Sequence, residues 1–411
     1  MKMKVVAIKS IADVSSGNTP SRRKSEYWNG SIPWITTGEL ESGYVTASKE
    51  CVTEKALKET ALKLYHKGTV LIAMYGQGKT RGTAAVLGIE ATVNQACAAL
   101  TVHSGCSKFL FYQLQNSYHA IRRLSNTGNQ ENLNAEIIKN FKIPWPDELE
   151  QQKIAAILST QDKVIELKEK LLVQKQQQKK YLMQQLLTGK KRLPGFNEKW
   201  KVEKFSEIFD FLSTNTLSRD NLFEGVGAIQ NIHYGDILTK FDEVIDLDCV
   251  CLPSIKESAI PNNCATVKSG DIIIADTAED LTAGKAVEVQ NIGDRVIYSG
   301  LHTMLCRPKE QLFSDGWLGF YMNSEAYHKQ LIPYIAGVKV MAISKSNIVK
   351  TYIAIPSKAE QAAIVEILST ADHEIDLLQK SIEAEKQKKK ALMQLLLMGK
   401  ARVEDEQKQD G

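Results

Sequence analysis

The 411-residue chain has no run of eighteen apolar residues, which excludes an ordinary transmembrane helix. Its first residues carry lysines but no apolar stretch long enough for a signal peptide, so no secretory leader is expected. There is no Pro-Pro dipeptide, and hence no Asp/Asn-Pro-Pro-aromatic loop of the kind that holds a flipped adenine in amino-methyltransferases. The seven cysteines include no Cys-x-x-Cys, and Cys249-x-Cys251 lacks a second pair of ligands, so neither a disulfide framework nor a zinc site is expected. Reduced thiols and a cytoplasmic location follow as the simplest expectation. The seven histidines stand at 66, 103, 119, 233, 302, 328 and 373, none at i, i+4 and none clustered with cysteine. The balance of 52 Lys+Arg and 48 Asp+Glu leaves a net charge of only +4. An apolar content of 43% is that of a folded chain, and the length calls for two or three domains.

Two nucleotide or metal motifs fail on inspection. Gly76-Gln77-Gly78-Lys79-Thr80 ends like a phosphate loop, but the cradle would lack its first glycine. Pro146-Asp147 with Glu166-Leu167-Lys168 satisfies a nuclease pattern only formally, because Glu166 and Lys168 fall within a long helical stretch that offers no strand edge for magnesium.

What the chain does contain is a repeat. Leu149–Lys190 and Ala359–Lys400 read as long helices, and at an offset of 210 Glu150–Lys190 matches Glu360–Lys400 at 21 of 41 positions. Each stretch closes on a glycine suited to a helix C-terminus, Gly189 and Gly399. Apolar residues recur at alternating spacings of four and three. In the first helix the stripe is Ile154, Leu158, Ile165, Leu172, Leu182 and Leu186; in the second it is Ile364, Leu368, Ile375, Leu378, Ile382, Leu392 and Leu396. Polar residues (Gln161, Lys168, Lys175, Lys179; Glu385, Lys389) interrupt the seam. Such a stripe cannot stand alone in water, and two matching helices in one chain predict an antiparallel coiled coil about 60 Å long. Packing of each helix onto its own domain is the competing arrangement.

The segments ahead of the helices repeat more loosely. Gly68–Ala73 corresponds to Gly270–Ala275, the opening run Ile8–Val14 to Val202–Phe209, and the exit Ile143-Pro144 to Ile355-Pro356. Helical stretches near Ser107–Leu124 and Gly316–Ile332 complete each segment. The fold class expected is a duplicated α/β (α+β) head joined by two long helices. The boundaries are a first head at 1–147, a helix at 148–192, a second head at 193–357, and a second helix with a short tail at 358–411.

This arrangement resembles the specificity subunits of type I restriction-modification systems. The resemblance spans essentially the whole chain. It is carried by Ile32-Pro33-Trp34-Ile35, Tyr75–Gly82, Asn94–Ala99, Gly128–Leu133, Ile143-Pro144 with Glu150-Gln151, and the leucine-rich helix ends before Gly189 and Gly399. It implies a subunit without chemistry or cofactors of its own. Each head would read one half of a split target in double-stranded DNA, and the helices would set the gap. Two modification subunits that use S-adenosylmethionine to methylate adenine N6 would dock, with restriction subunits using ATP and Mg2+ in systems that cleave. A DNA-independent scaffold bridging two proteins is the alternative, and a self-contained nuclease or methyltransferase a third.

Candidate contacts to DNA follow from residue type. The glycine-spaced loop Gly76–Gly82 permits close backbone approach, and Gln77, Lys79, Thr80 and Arg81 offer donors, Gln suiting adenine and Arg guanine. An ordinary surface hairpin is the plainer reading of the same loop. Arg22, Arg23 and Lys24 form a basic cluster suited to phosphate, and Arg122 with Arg123 either grips phosphate or caps a helix. Residues 1–148 carry 18 basic and 12 acidic side chains, 149–192 carry 10 and 4, whereas 193–357 carry 15 and 21 and 358–411 carry 9 and 11. The second head is therefore acidic, and its loop Asp276–Lys285 offers only Thr282 and Lys285 as contacts.

Overall fold

The computed structural model describes residues 3–76, 78–124 and 132–403, and the chain divides into two compact units, Met1–Glu169 with Lys380–Gly411, and Lys170–Gln379. Among the described residues no helix is long and apolar enough to cross a membrane.

The core of the first unit is a five-stranded sheet in the order Ala12–Ser16, Cys97–Val102, Val70–Ala73, Ala84–Leu87, Tyr44–Val45. All pairs are antiparallel except the last. The run Val70–Ala73 is apolar at every position because both faces of the sheet are covered. Val70, Ile72, Val86 and Leu100 point to one core with Phe109, Leu110 and Ile154, while Leu71, Ala73, Leu87 and Ala99 point to another with Ile35 and Leu40. A three-stranded sheet of Glu50–Val52, Trp28–Ile35 and Thr92–Val93 stands beside it. The entering strand Val5–Ala7 pairs antiparallel with the leaving strand Lys142–Pro144, which ties off the head.

The second unit repeats the plan with Phe209–Leu212, Thr303–Pro308, Ile272–Ala275, Ala286–Gln290 and Val244–Asp246, again antiparallel but for the last pair. Lys201–Lys204 and Tyr352–Ile355 tie it off. The correspondence expected between Gly68–Ala73 and Gly270–Ala275 is thus one of central strands.

One core position breaks the match. Val86, paired with Val70, becomes Glu288, paired with Ile272. Glu288 is 3% exposed and accepts the backbone N–H groups of Gly316 (2.6 Å) and Gly319 (3.0 Å). Burial pushes its carboxyl up to about 6, against the pull of those N–H groups. The folded state therefore takes up a proton before the unfolded chain does. The stabilisation is complete below about pH 4.5 and is lost as pH rises through 6. Chemical denaturation at pH 5 and pH 7.5 should show Glu288 contributing about 1 kcal/mol more at the lower pH, and Glu288→Gln should remove that part of the difference.

Each long helix is one continuous element of 39 residues, Glu148–Leu186 and Lys358–Leu396. Both end three residues before their glycine, which adopts a left-handed φ of +66° at Gly189 and +67° at Gly399. The intervening turn drives Leu187 and Leu397 into full burial. None of the thirteen residues of the apolar stripe is exposed, and its ends serve more than the helix pair. Ile154, Leu158 and Leu396 belong to the core of the first head, and Leu186, Ile364 and Leu368 to that of the second. The two arrangements weighed from sequence are therefore combined: helices pair, and both also pack on a head.

The polar seam positions form ion pairs. In the first unit Lys389 pairs with Asp162 at 2.6 Å, and Lys168 with Glu385 at 2.8 Å, where Gln161 also donates at 2.6 Å. In the second, Lys179 pairs with Asp372 at 2.6 Å and Lys175 with Glu374 at 2.7 Å. Residue numbers rise on one helix as they fall on the other, so the pairing is antiparallel in each unit. Lys179–Asp372 and Lys389–Asp162 are related by the same offset of 210. So are Arg192–Glu360 (2.6 Å) and Arg402–Glu150 (2.7 Å). Gln151 and Gln361 also play one role. Each accepts a head N–H, from Cys106 at 2.8 Å or Ser314 at 2.9 Å, and donates to a proline carbonyl. The repeat extends to individual hydrogen bonds.

Lys179 holds a second carboxylate, Glu243, at 2.8 Å. Burial alone would lower this lysine, yet Glu243 and Asp372 outweigh it and hold the ammonium above its ordinary range. One ammonium between two acids leaves an excess negative charge, and burial with the neighbouring Glu243 pushes Asp372 up to about 6.

Candidate nucleic-acid interface

In the first head, antiparallel pairing places Ser16, Ala73, Ala84 and Cys97 at one end of the sheet. Three loops leave there: 17–24, 74–83 and the turn at Asn94–Ala96. The turn joins the other two. Gly17 N–H donates to Cys97 O and Asn18 N–H to Val93 O, Thr19 donates to Gln95, and Met74 N–H donates to Ala96 O at 2.8 Å. The sequence runs around Arg22, Gly76–Gly82 and Asn94–Ala99 are thus brought to one end of one sheet, where loops on a rigid scaffold carry binding groups.

The glycine loop is braced from behind. Tyr118, on the helix Tyr118–Arg123, donates its hydroxyl to Lys79 O at 2.7 Å. Arg122 reaches Gly78 O at 2.9 Å and Arg81 O at 2.6 Å, with its guanidinium 5.2 Å from the Tyr118 ring centre. Gly82 has φ +85°, and a Cβ there would stand 3.0 Å from Arg122 Cγ, so the tight closure of loop on helix needs glycine. Within the loop Lys79 is exposed, Thr80 half-buried, and Arg81 turned inward at 8% exposure. Gln77 lies outside the described residues, as do Ser125–Gly128 and Asn129–Glu131. Arg123 is exposed.

Arg22 forms a bidentate pair with Glu50 and lies over Trp28, 3.8 Å from the ring centre, with Trp34 edge-on to Trp28. Lys24 donates to the Tyr27 hydroxyl at 2.9 Å, while Arg23 is exposed. Sequence reading found the basic cluster but missed the tryptophans and the acid that orient it, because Glu50 is 28 residues away on the paired strand.

In the second head the loop Asp276–Gly284 leaves the sheet at the matching place, after Ala275. Two of its acids are structural: Asp280 accepts the N–H of Thr282 at 2.8 Å, and Asp276 pairs with His302 at 3.2 Å. Thr282 is exposed, its hydroxyl also on Asp280. Lys285 is half-buried and donates to Phe241 O at 2.7 Å, with burial pushing its ammonium below the ordinary lysine range. Gly284, with φ +93°, takes the place of Gly82, but Leu331 rather than an arginine fills the space behind it. Among the described residues no three His, Cys, Asp or Glu side chains converge as metal ligands.

Residues 1–175 and 197–386 match the type I restriction modification DNA specificity domain. The type I restriction enzyme MjaVIII specificity subunit of Methanocaldococcus jannaschii is 25% identical over 98% of this chain and 93% of its own length. The MjaIX specificity subunit of the same organism is 35% identical over 40% of this chain, a segment that spans 39% of that relative. The EcoR124I/EcoR124II specificity subunit of Escherichia coli is 30% identical over 36% of this chain and 37% of its own. Among solved structures, the type I S subunit from M. genitalium superposes with a TM-score of 0.58 over 97% of this chain and 96% of that one, at 15% identity. At that identity the likeness bears on the fold.

Proposed function

Because the chain belongs to the type I restriction-modification DNA specificity family, we propose that it is the non-catalytic DNA-recognition subunit of such a complex. Residues 1–147 and 193–357 act as recognition domains, each reading one half of a bipartite target. Residues 148–192 and 358–411 supply the helical regions that set the spacer and dock two adenine-N6 modification subunits, together with restriction subunits in a system that cleaves. S-adenosylmethionine, ATP and Mg2+ belong to those partners, and the complex works in the cytoplasm. The observation that carries this reading is the duplication. Two heads share one sheet order yet present different loops, while the helices keep the same ion pairs at a fixed offset of 210. Divergence at the loop ends and constancy along the helices suit two different half-sites and two equivalent docking surfaces.

In the first head we assign reading to the loop end that carries Lys79 and Thr80, with Gln77 in the same run and Arg81 turned inward behind them. Arg22, Arg23, Lys24 and Arg123 provide contacts to phosphate. The test is co-expression with the adjacent modification subunit and mapping of N6-methyladenine across the host genome. A motif of two fixed parts with a fixed gap is expected. A stable complex with an active modification subunit that methylates no such motif would overturn the reading in favour of a protein-bridging scaffold.

A further inference from the structure

The acidic second head poses a question of charge: 21 acidic and 15 basic residues over 193–357 should repel a phosphate backbone. The charge is not evenly spread. Between Glu325 and Glu360 there is no Asp or Glu, and the stretch carries Lys329, Lys339, Lys345, Lys350 and Lys358. All five lysines are exposed. The acids are confined to the remainder of the head.

The middle of this acid-free stretch forms a hairpin. Ala336 and Ala342 exchange backbone hydrogen bonds at 3.1 and 2.9 Å, and Gly337–Val340 make the tip. Gly337 has φ +149°, and a Cβ on it would fall 1.9 Å from Val340 O, so the turn needs glycine. The tip holds two valines in water, Val338 at 96% and Val340 at 57% exposure, with Lys339 between them. The returning strand Met341–Ala342 pairs with Thr277–Ala278, and Ile343 N–H donates to Asp276 O at 2.9 Å. The hairpin therefore grows from the loop that corresponds to the first head's glycine loop, at the same end of the sheet.

We propose that this hairpin is the element with which the second head reads its half-site in duplex DNA. The inference rests on the proposed role in DNA recognition and names the surface that performs it. Exposed valines flanking a lysine suit a groove: Val338 and Val340 offer apolar contact to thymine 5-methyl groups, and Lys339 reaches a phosphate. Lys345 and Lys350, a few residues on, add cations where the head otherwise has carboxylates. The acidic loop Asp276–Gly284 then acts as the base on which the hairpin stands, with Asp276 and Asp280 already engaged by His302 and Thr282.

The experiment compares the full-length chain with Val338→Ser and Lys339→Glu variants, each co-expressed with the modification subunit and scored by N6-methyladenine mapping. Both substitutions are at the exposed tip, and thermal melting is expected to be unchanged. Val338→Ser should relax or shift bases in one half of the motif and leave the other half intact. Lys339→Glu should lower methylation at the wild-type motif about ten- to a hundredfold. Methylation of the wild-type motif at the wild-type rate by both variants would overturn the proposal. So would a uniform fall in rate with every base of the motif retained by Val338→Ser. Absence of any bipartite motif in the wild type would instead remove the parent reading, so the two failures are distinguishable.

Discussion

Inserting one heptad into each long helix, seven residues in the polar middle of both, should widen the gap in the recognised motif by about three base pairs. Each helix gains about 10 Å at 1.5 Å per residue, and the duplex rises about 3.4 Å per base pair. Seven residues in both helices preserve the antiparallel seam and the facing of its ion pairs, because the stripe repeats every seven. The bases of both half-sites are expected to stay the same. The measurement is the N6-methyladenine motif of the lengthened protein, and an unchanged gap would sink the ruler reading. Insertion into one helix alone should fail differently. It would separate Lys179 from Asp372 or Lys389 from Asp162, leaving partly buried charges without partners.

Replacing Arg122 with Ala should cost about ten- to a hundredfold in methylation rate, through one half-site only. The guanidinium holds Gly78 O and Arg81 O together, and a hydrogen bond from a charged donor contributes about 1.5–3 kcal/mol. Arg122→Lys discriminates the mechanism. A lysine keeps the charge but cannot span both carbonyls, so it should behave like alanine if bracing matters. Restoration of activity by lysine, with a reduced salt dependence in the alanine variant, would make Arg122 a phosphate contact instead. Tyr118→Phe, which removes the bond to Lys79 O and the acceptor for Arg122 while leaving both carbonyl contacts of Arg122 in place, should have a smaller effect of the same kind.

The sequence signals succeeded where a pattern is local or repeated. The apolar stripe from Ile154 to Leu186 and from Ile364 to Leu396 is readable because a helix returns a residue to the same face every three or four positions. The central strands Val70–Ala73 and Ile272–Ala275 are readable because a strand buried on both faces must be apolar throughout. Charge was legible too. The acid-free stretch between Glu325 and Glu360 is visible in the sequence, although a total over the whole head concealed it.

The groups around the reading loops were not legible, because each is joined by residues far apart in the chain. Tyr118 and Arg122 meet the glycine loop some forty residues away, and Arg22, in the loop 17–24, meets Glu50 on a strand 28 residues further along the chain. Arg81, a donor by type, is turned inward, and Lys285 is engaged by the Phe241 carbonyl. The amino-acid sequence by itself determined the duplication and the long helices, since periodicity and internal identity need no knowledge of contacts, and the resemblance of its local runs pointed to the family. Only the tertiary structure decided which charged side chains face outward and which hold the fold together. An arginine or lysine goes wherever carbonyls and carboxylates from distant segments converge, and that convergence exists only once the chain has folded.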